Sequence, residues 1–384
     1  MQLISLLATE VVQFDSYYKR WSEVSDLLDP LNVRILGCIS QVGPRNLLEV
    51  SRRTRIPFST VYHRVARFEK RIGRIGYLVP RFSKLGLTCL VVLGRAKPGR
   101  EEQLSAALKL PNYWWSVTRC EGGFTNHSAH CVPVQHLKTF YRYIRRVSLS
   151  GLADRIQTVR VGDYAPFSLN FKHYNAAERT WEFTWDKWFE GLMHQKVVER
   201  ARDPANYVEV TSKHDLLIVK ELQKNGRTTL AELASLLNMT LPGAKYHYDK
   251  LLARGVCDNF WVNIFPYPIE ISAVYDIMID FSTPEKMNKF YSFIPKLSFI
   301  IDITKVLARN SLLARAYIPE MQVSNMFDFL SQATRKKAWA SYSALRLRFE
   351  TRKSQTISYE LFDDRKKTWR FDLGECVTAL RKIS

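Results

Sequence analysis

Phe58-Ser59-Thr60-Val61-Tyr62-His63-Arg64-Val65-Ala66-Arg67-Phe68 reads as one short amphipathic helix. Val61, Val65 and Phe68 recur at helical spacing on an apolar face, and Ser59, Thr60, Tyr62, His63, Arg64 and Arg67 fall away from it. Pro57 limits how far the preceding segment stays helical. Two more apolar sets precede it, Leu31, Ile35 and Ile39, then Leu47, Val50 and Ser51. Three short helices joined by tight turns predict a helix-turn-helix core. A helix that enters the major groove needs short polar residues at its N-terminal end to approach base edges, and cations nearby to fix phosphates. The expected DNA contacts are therefore Arg45, Ser59, Thr60, Tyr62, His63, Arg64, Arg67, Arg71 and Arg74.

The same pattern recurs further along the chain. Ile35, Gly43, Leu47 and Glu49 align with Ile218, Gly226, Leu230 and Glu232 at an offset of 183, and Thr180-Trp181-Glu182-Phe183 aligns with Thr368-Trp369-Arg370-Phe371 at 188. The second copy has Leu216, Val219 and Leu222, then Leu230, Leu233, Ala234 and Leu237, then Ala244, Tyr248 and Leu251. Thr240 is its expected cap and Pro242 falls in the first turn. Its candidate DNA contacts are Thr240, Gly243, Lys245, Tyr246, His247 and Lys250.

After each trio comes a β-like run, 75–79 and 257–262, expected to serve as a wing. Strands at 87–93, 114–119, 124–132 and 156–161, with helices at about 100–108 and around Val134, Leu137, Tyr141 and Ile144, give the βαββαβ order of a ferredoxin-like sandwich. The second copy repeats it with strands at 271–281, 299–307, 312–318 and 342–349 and helices at 284–293 and 321–331. The expected fold class is α+β, two tandem copies of a winged helix-turn-helix followed by a βαββαβ domain. The expected division is an N-terminal helical extension (1–27), winged helix 1 (28–82), ferredoxin-like domain 1 (83–165), an aromatic segment and linker (166–207), winged helix 2 (208–265), ferredoxin-like domain 2 (266–352) and a C-terminal segment (353–384). Trp181, Phe183, Trp185, Trp188 and Phe189, like Trp369 and Phe371, are expected to brace a sheet or the interface between units rather than to stack on single-stranded nucleic acid.

Bulk properties bound the function. The 384 residues are 46% hydrophobic and carry a formal charge of +20, which suits several packed cores and a polyanionic partner. The apolar run at the N-terminus lacks a basic region before it and reads as a helix, not a signal peptide. No window approaches 18 uncharged apolar residues, so no membrane partner is expected, and six scattered cysteines suit a reducing cytoplasm. Cys120, His127, His130, Cys131 and His136 are metal-type side chains, but strand neighbours point oppositely and no Cys-x-x-Cys supports them. No catalytic residue, metal or cofactor is expected, because paired acids, a nucleophile elbow and a phosphate loop are all missing.

The motifs resemble the leucine-responsive regulator (Lrp/AsnC) family. Leu28-Asp29-Pro30-Leu31-Asn32-Val33-Arg34-Ile35-Leu36 is similar to that family's opening, with Asn32 in place of its second acid. The helix from Phe58 to Phe68, then Gly73-Arg74-Ile75-Gly76-Tyr77 and Leu85-Gly86, follow its recognition helix, wing and sheet entry. The second unit keeps His214-Asp215-Leu216-Leu217-Ile218 and Gly226-Arg227-Thr228 but diverges at Leu241-Pro242-Gly243-Ala244-Lys245-Tyr246-His247-Tyr248. The resemblance spans 28–163 and 212–350. It implies a transcriptional regulator of double-stranded DNA. Because family members usually carry one unit and dimerise through the βαββαβ domain, it also implies a fused pair that partners itself, within the chain or as a homodimer.

Family effectors bind near a Gly-x-x-Asp turn. Here the turns are Glu121-Gly122-Gly123-Phe124-Thr125-Asn126 and Arg309-Asn310-Ser311-Leu312, both without the acid. Gly122, Gly123, Thr125 and Asn126 are the candidate contacts for an unknown effector, and a conventional amino acid is not expected there. Two alternatives remain, a tetrapyrrole-binding enzyme of the sirohaem decarboxylase type, which resembles the same plan, and a protein-interaction winged helix.

Overall fold

The computed structural model describes residues 24–72, 75–166, 171–207, 212–257, 259–262, 264 and 267–383. Three helices open the chain: α1 (Pro30–Val42), α2 (Leu47–Thr54) and α3 (Phe58–Ile72). The Asp29 side chain caps α1 by accepting from the Asn32 amide, and Asn46 caps α2 by accepting from that of Glu49. Ile35, Ile39, Val50, Val61, Val65 and Phe68 are all buried between the helices. Each such side chain stabilises the bundle by about 1.5–3 kcal/mol.

A short strand β1 (Gly76–Leu78) leads into β2 (Leu87–Ala96), α4 (Glu101–Lys109), β3 (Trp114–Glu121), β4 (Asn126–Pro133), α5 (Leu137–Leu149) and β5 (Ala153–Val161). Then come β6 (Ala165–Pro166), a hairpin of β7 (Tyr174–Asn175) and β8 (Thr180–Trp181), and α6 (Trp185–His194). The order repeats. A trio α7 (Lys213–Lys224), α8 (Leu230–Leu236) and α9 (Leu241–Ala253) is followed by β9 (Phe260–Val262), β10 (Ser272–Asp280), α10 (Pro284–Phe293), β11 (Ile300–Val306), β12 (Ser311–Pro319), α11 (Val323–Arg335) and β13 (Ser341–Ser354). The hairpin of β14 (Phe362–Asp363) and β15 (Thr368–Trp369) and the helix α12 (Leu373–Arg381) close it. Thr240 caps α9 as expected, and Thr229 forms a reciprocal capping box with Glu232 at α8. The two hairpins share a device: Asn175 accepts from the amides of Ala177 and Glu178, and Asp363 from those of Arg365 and Lys366.

The class is α+β with ferredoxin-like sheets. Strands run β5-β2-β4-β3 in one half and β13-β10-β12-β11 in the other. The halves join at both edges, β13 against β3 with Leu347 opposite Cys120, and β11 against β5 with Val306 opposite Val161. Eight strands therefore close on themselves, with α4 and α5 packed outside one half and α10 and α11 outside the other. Closure removes the unpaired edges that each four-stranded sheet has alone. It also explains why β13 runs to Ser354, beyond the expected end: past a bulge, Lys353 and Ser354 pair with Val117 and Ser116 of β3. The helices expected from Val134 and from 321 start later, because Val134–His136 and Glu320–Gln322 are 3-10 turns.

The aromatic segments cross over. Trp185 and Trp188 of α6 pack on Phe299 and Phe329 of the second half, while Trp369 and Phe371 pack on Tyr113 of the first. One expectation needs correction. The two runs read as wings do not fold back on their own helices but pair with each other, Gly76 opposite Val262, Tyr77 opposite Trp261 and Leu78 opposite Phe260. Among the described residues neither three-residue strand has a partner in its own unit, and each supplies the other's.

Candidate nucleic-acid interface

Along α3 the residues open to solvent are Phe58, Ser59, Tyr62, His63, Ala66, Arg67, Lys70 and Arg71, with Thr60 at the edge of the stripe. Spacings of three and four place Ser59, Tyr62, His63, Ala66, Arg67 and Lys70 on one side, opposite the buried Val61, Val65 and Phe68. Tyr62 is 49% exposed and stands edge-on to His63, with ring centroids 5.8 Å apart. Lys70 and the cations of α2, Arg52 and Arg53, were not among the expected contacts. Lys70 lies eleven residues after Ser59, three helical turns along the same face, and that spacing was the available signal.

Two of the expected contacts are used inside the protein. Arg64 donates from Nη1 to Asp29 Oδ2 at 2.6 Å and to Asn32 Oδ1 at 3.0 Å, tying the third helix to the start of the first. Burial works against the Asp29 carboxylate, but the Asn32 amide and the Arg64 guanidinium outweigh it and hold its pKa below the usual value. Arg45 donates to the Thr228 carbonyl and lies 4.6 Å from the Tyr248 ring centroid, so it joins the two helical trios. Arg227 does the same from the other side, 2.6 Å from Glu69. Arg74 lies outside the described residues.

The second recognition helix presents a different surface. Tyr246 is 65% and Leu241 53% exposed, and Thr240 and Lys245 are also open, Lys245 paired with Asp249 one turn on. His247 and Lys250 face the bundle instead: His247 Nδ1 lies 2.6 Å from one oxygen of the buried Asp215, and Lys250 Nζ donates to the other at 2.9 Å. They are structural ties rather than free cations. Gly243 is half-buried near Met239 and Thr240, which leaves its backbone close to the helix end.

The effector turn opens into solvent. Gly122, with φ of +107°, and Gly123 have no neighbour within 4 Å of a would-be Cβ. Thr125 Oγ1 accepts from the Ala96 amide at 2.9 Å, and the fully buried Asn126 donates to Glu101 O at 3.0 Å and Ser105 Oγ at 2.7 Å. These two side chains hold the turn in place instead of facing a ligand, which corrects their assignment as effector contacts. His130 packs on Phe140 under the helices while Cys131 meets Cys89 across the sheet at 3.8 Å, so the neighbours do point oppositely. Among the described residues no group of three metal-type side chains converges, and no helix is long and apolar enough to cross a membrane.

A family profile described as winged helix-turn-helix DNA-binding matches residues 211–256, which hold α7, α8 and α9. The three helices of this segment form a helix-turn-helix trio like that of the profile. Two archaeal relatives named as uncharacterized HTH-type transcriptional regulators are 29% identical over 107 residues (Pyrococcus horikoshii) and 28% over 109 residues (Pyrococcus abyssi). Each match covers 28% of this chain, and 71% and 72% of the respective relatives. Over nearly the whole chain the fold is that of the sirohaem decarboxylase NirDL. That structure is 11% identical with a TM-score of 0.51, covering 91% of this chain and 97% of that one. The same enzyme with an iron-uroporphyrin III analogue gives 12% identity and a TM-score of 0.52 over 90% and 98%.

Proposed function

We propose that the chain is a sequence-specific DNA-binding transcriptional regulator, built as a fused pair of winged helix-turn-helix and ferredoxin-like units divided near residue 207. The reading rests on one observation above others, the solvent-facing stripe of α3 in which Ser59, Tyr62 and His63 are followed by Arg67, Lys70 and Arg71. Short polar groups first and cations after suit base edges at the helix start and phosphates along its length. Thr60 flanks the stripe, and Thr240, Gly243, Lys245 and Tyr246 form the lesser second contact. The pairing of β1 with β9 and the Arg45 and Arg227 links support a fixed spacing between the two helices. The regulator names of the Pyrococcus relatives support the same class. Selection of bound sequences from a random DNA pool tests it: two half-motifs at a constant separation are expected, and recovery of unrelated sequences contradicts it.

A second reading is a tetrapyrrole-binding enzyme of the decarboxylase type, favoured by the fold likeness to NirDL over nine-tenths of both chains. Titration with iron-uroporphyrin III discriminates. A saturable absorbance shift supports the enzyme reading, and an unchanged spectrum removes it.

A further inference from the structure

The helices α5 and α11 occupy equivalent places in the two halves, yet their outer faces differ. Both are 13 residues long and follow a 3-10 turn. With Leu137 set against Val323, the buried side chains coincide: Phe140, Tyr143, Ile144 and Val147 in α5 match Met326, Phe329, Leu330 and Ala333 in α11. The outward positions do not. Lys138, Arg142, Arg145 and Arg146 are all open to solvent, and Ser324, Asp328, Ser331 and Gln332 stand in their places on α11. Packing on a sheet therefore needs the apolar positions and, as α11 shows, none of these cations. Like charges three and four residues apart repel along a helix and cost it stability. α5 holds no Asp or Glu to offset them, and among the described residues no ion pair or side-chain hydrogen bond engages any of the four.

Lys138, Arg142 and Arg146 recur every four residues, about 6 Å apart along the helix axis. Arg142, Arg145 and Arg146 line one open groove together with Leu149. A guanidinium presents its donors in a fork that fits phosphate oxygens, and clustered cations displace the counterions condensed on a duplex. We propose that this face of α5 binds the phosphate backbone of double-stranded DNA, as a contact without sequence preference and separate from that of α3. The proposal deepens the DNA reading above and rests on it. A membrane surface fits less well. The apolar stripe of α5 is already buried on the sheet, which leaves Tyr141 and Leu149 as its exposed large apolar side chains, too little to insert.

Salt-dependent binding of the full chain to a long duplex of mixed sequence tests the contact. Each phosphate met contributes roughly −0.9 to the slope of log affinity against log salt, so Arg142→Gln/Arg145→Gln/Arg146→Gln should flatten that slope by about two to three units. The matching lysine variant, Arg142→Lys/Arg145→Lys/Arg146→Lys, keeps the charge and should keep most of the slope. Arg335→Gln/Lys336→Gln/Lys337→Gln removes as many exposed cations at the end of α11, and should flatten the slope by at most about one unit. If the glutamine variant of α5 fails to fold, Arg142→Asp, which copies Asp328, should flatten the slope by about one unit on its own. A slope in the α5 variant equal to that of the parent, or to that of the α11 control, overturns the contact. So does an unchanged slope with loss of binding to phosphatidylserine vesicles, which assigns the face to a membrane instead. The two readings fail separately. Recovery of unrelated sequences in the selection removes sequence-specific regulation and leaves this contact standing where the α5 loss persists, whereas a loss confined to Arg67→Ala/Arg71→Ala removes this contact alone.

Discussion

Arg64 and His247 occupy equivalent places, 183 residues apart, and both turn inward to the first helix of their trio. The anchor is also equivalent, Asn32 with Asp29 in one trio and Asp215 in the other. The two differ in burial, since the Asp29 side chain is 40% exposed and that of Asp215 only 2%. Arg64→Ala should therefore lower stability by about 0.5–1 kcal/mol, as for other solvent-screened pairs. Asp215→Ala, which removes the buried carboxylate held between His247 and Lys250, should cost about 3 kcal/mol. Thermal melts of the two variants check this, and a larger loss in Arg64→Ala contradicts it. Asp302 gives a pH prediction. Its folded pKa is raised to about 7 from 3.8, so its contribution is fully present below about pH 4 and is lost as pH rises toward 7. The charged and titratable groups around it include Arg315, Arg352, Asp276, Tyr164 and Cys89. Relative to Asp302→Asn, the parent should lose stability between pH 4.5 and 7.5 and hold level above; a constant difference across that range refutes it. Arg64 lies about 60° nearer the apolar stripe than Arg67 on a helical wheel, but its inward turn was not legible in the sequence because its partners Asp29 and Asn32 sit some thirty residues away on another helix.

At the scale of elements, helices and sheet strands were legible because each carries its own signal. Thr240 and Pro242 announce α9, and the mostly apolar runs of β10 and β12 announce strands buried on both faces. The partner of a three-residue strand carries no such signal, so β1 and β9 read as separate wings when they form one ribbon. Gly226 marks the tight point of that ribbon. Its amide donates to Gly76 O at 2.9 Å, and a Cβ there would meet Phe260 Cδ1 at 2.9 Å and the Gly76 carbonyl at 3.0 Å. Gly226→Ala should destabilise by about 1–3 kcal/mol, the usual cost of overpacking, and speed hydrogen exchange at Gly226 and Leu78. Exchange equal to that of the parent contradicts the close approach.

For the whole molecule, the repeat offsets gave the two halves but not the way they interlock. Crossed docking of α6 and α12 depends on Trp188 and Trp369 finding pockets in the opposite half, and their own sequence context reads the same either way. Residues 1–207 and 208–384 produced together should co-purify as a 1:1 pair, since each alone exposes two sheet edges and an aromatic dock; two halves that fold and stay apart contradict the interlock. Charge also divides unevenly between the halves. From Gly43 to Arg81 there are ten Lys or Arg and two acids, 10 − 2 = +8, whereas from Gly226 to Ile264 there are four and three, 4 − 3 = +1. The most direct test of DNA recognition through α3 is the salt dependence of affinity for the selected site. Each phosphate contact adds roughly −0.9 to the slope of log affinity against log salt. Arg67→Ala/Arg71→Ala should flatten that slope by up to about two units, and Lys245→Ala by at most about one. A full slope in the Arg67/Arg71 variant, or a larger loss in Lys245→Ala with both folded, would contradict it.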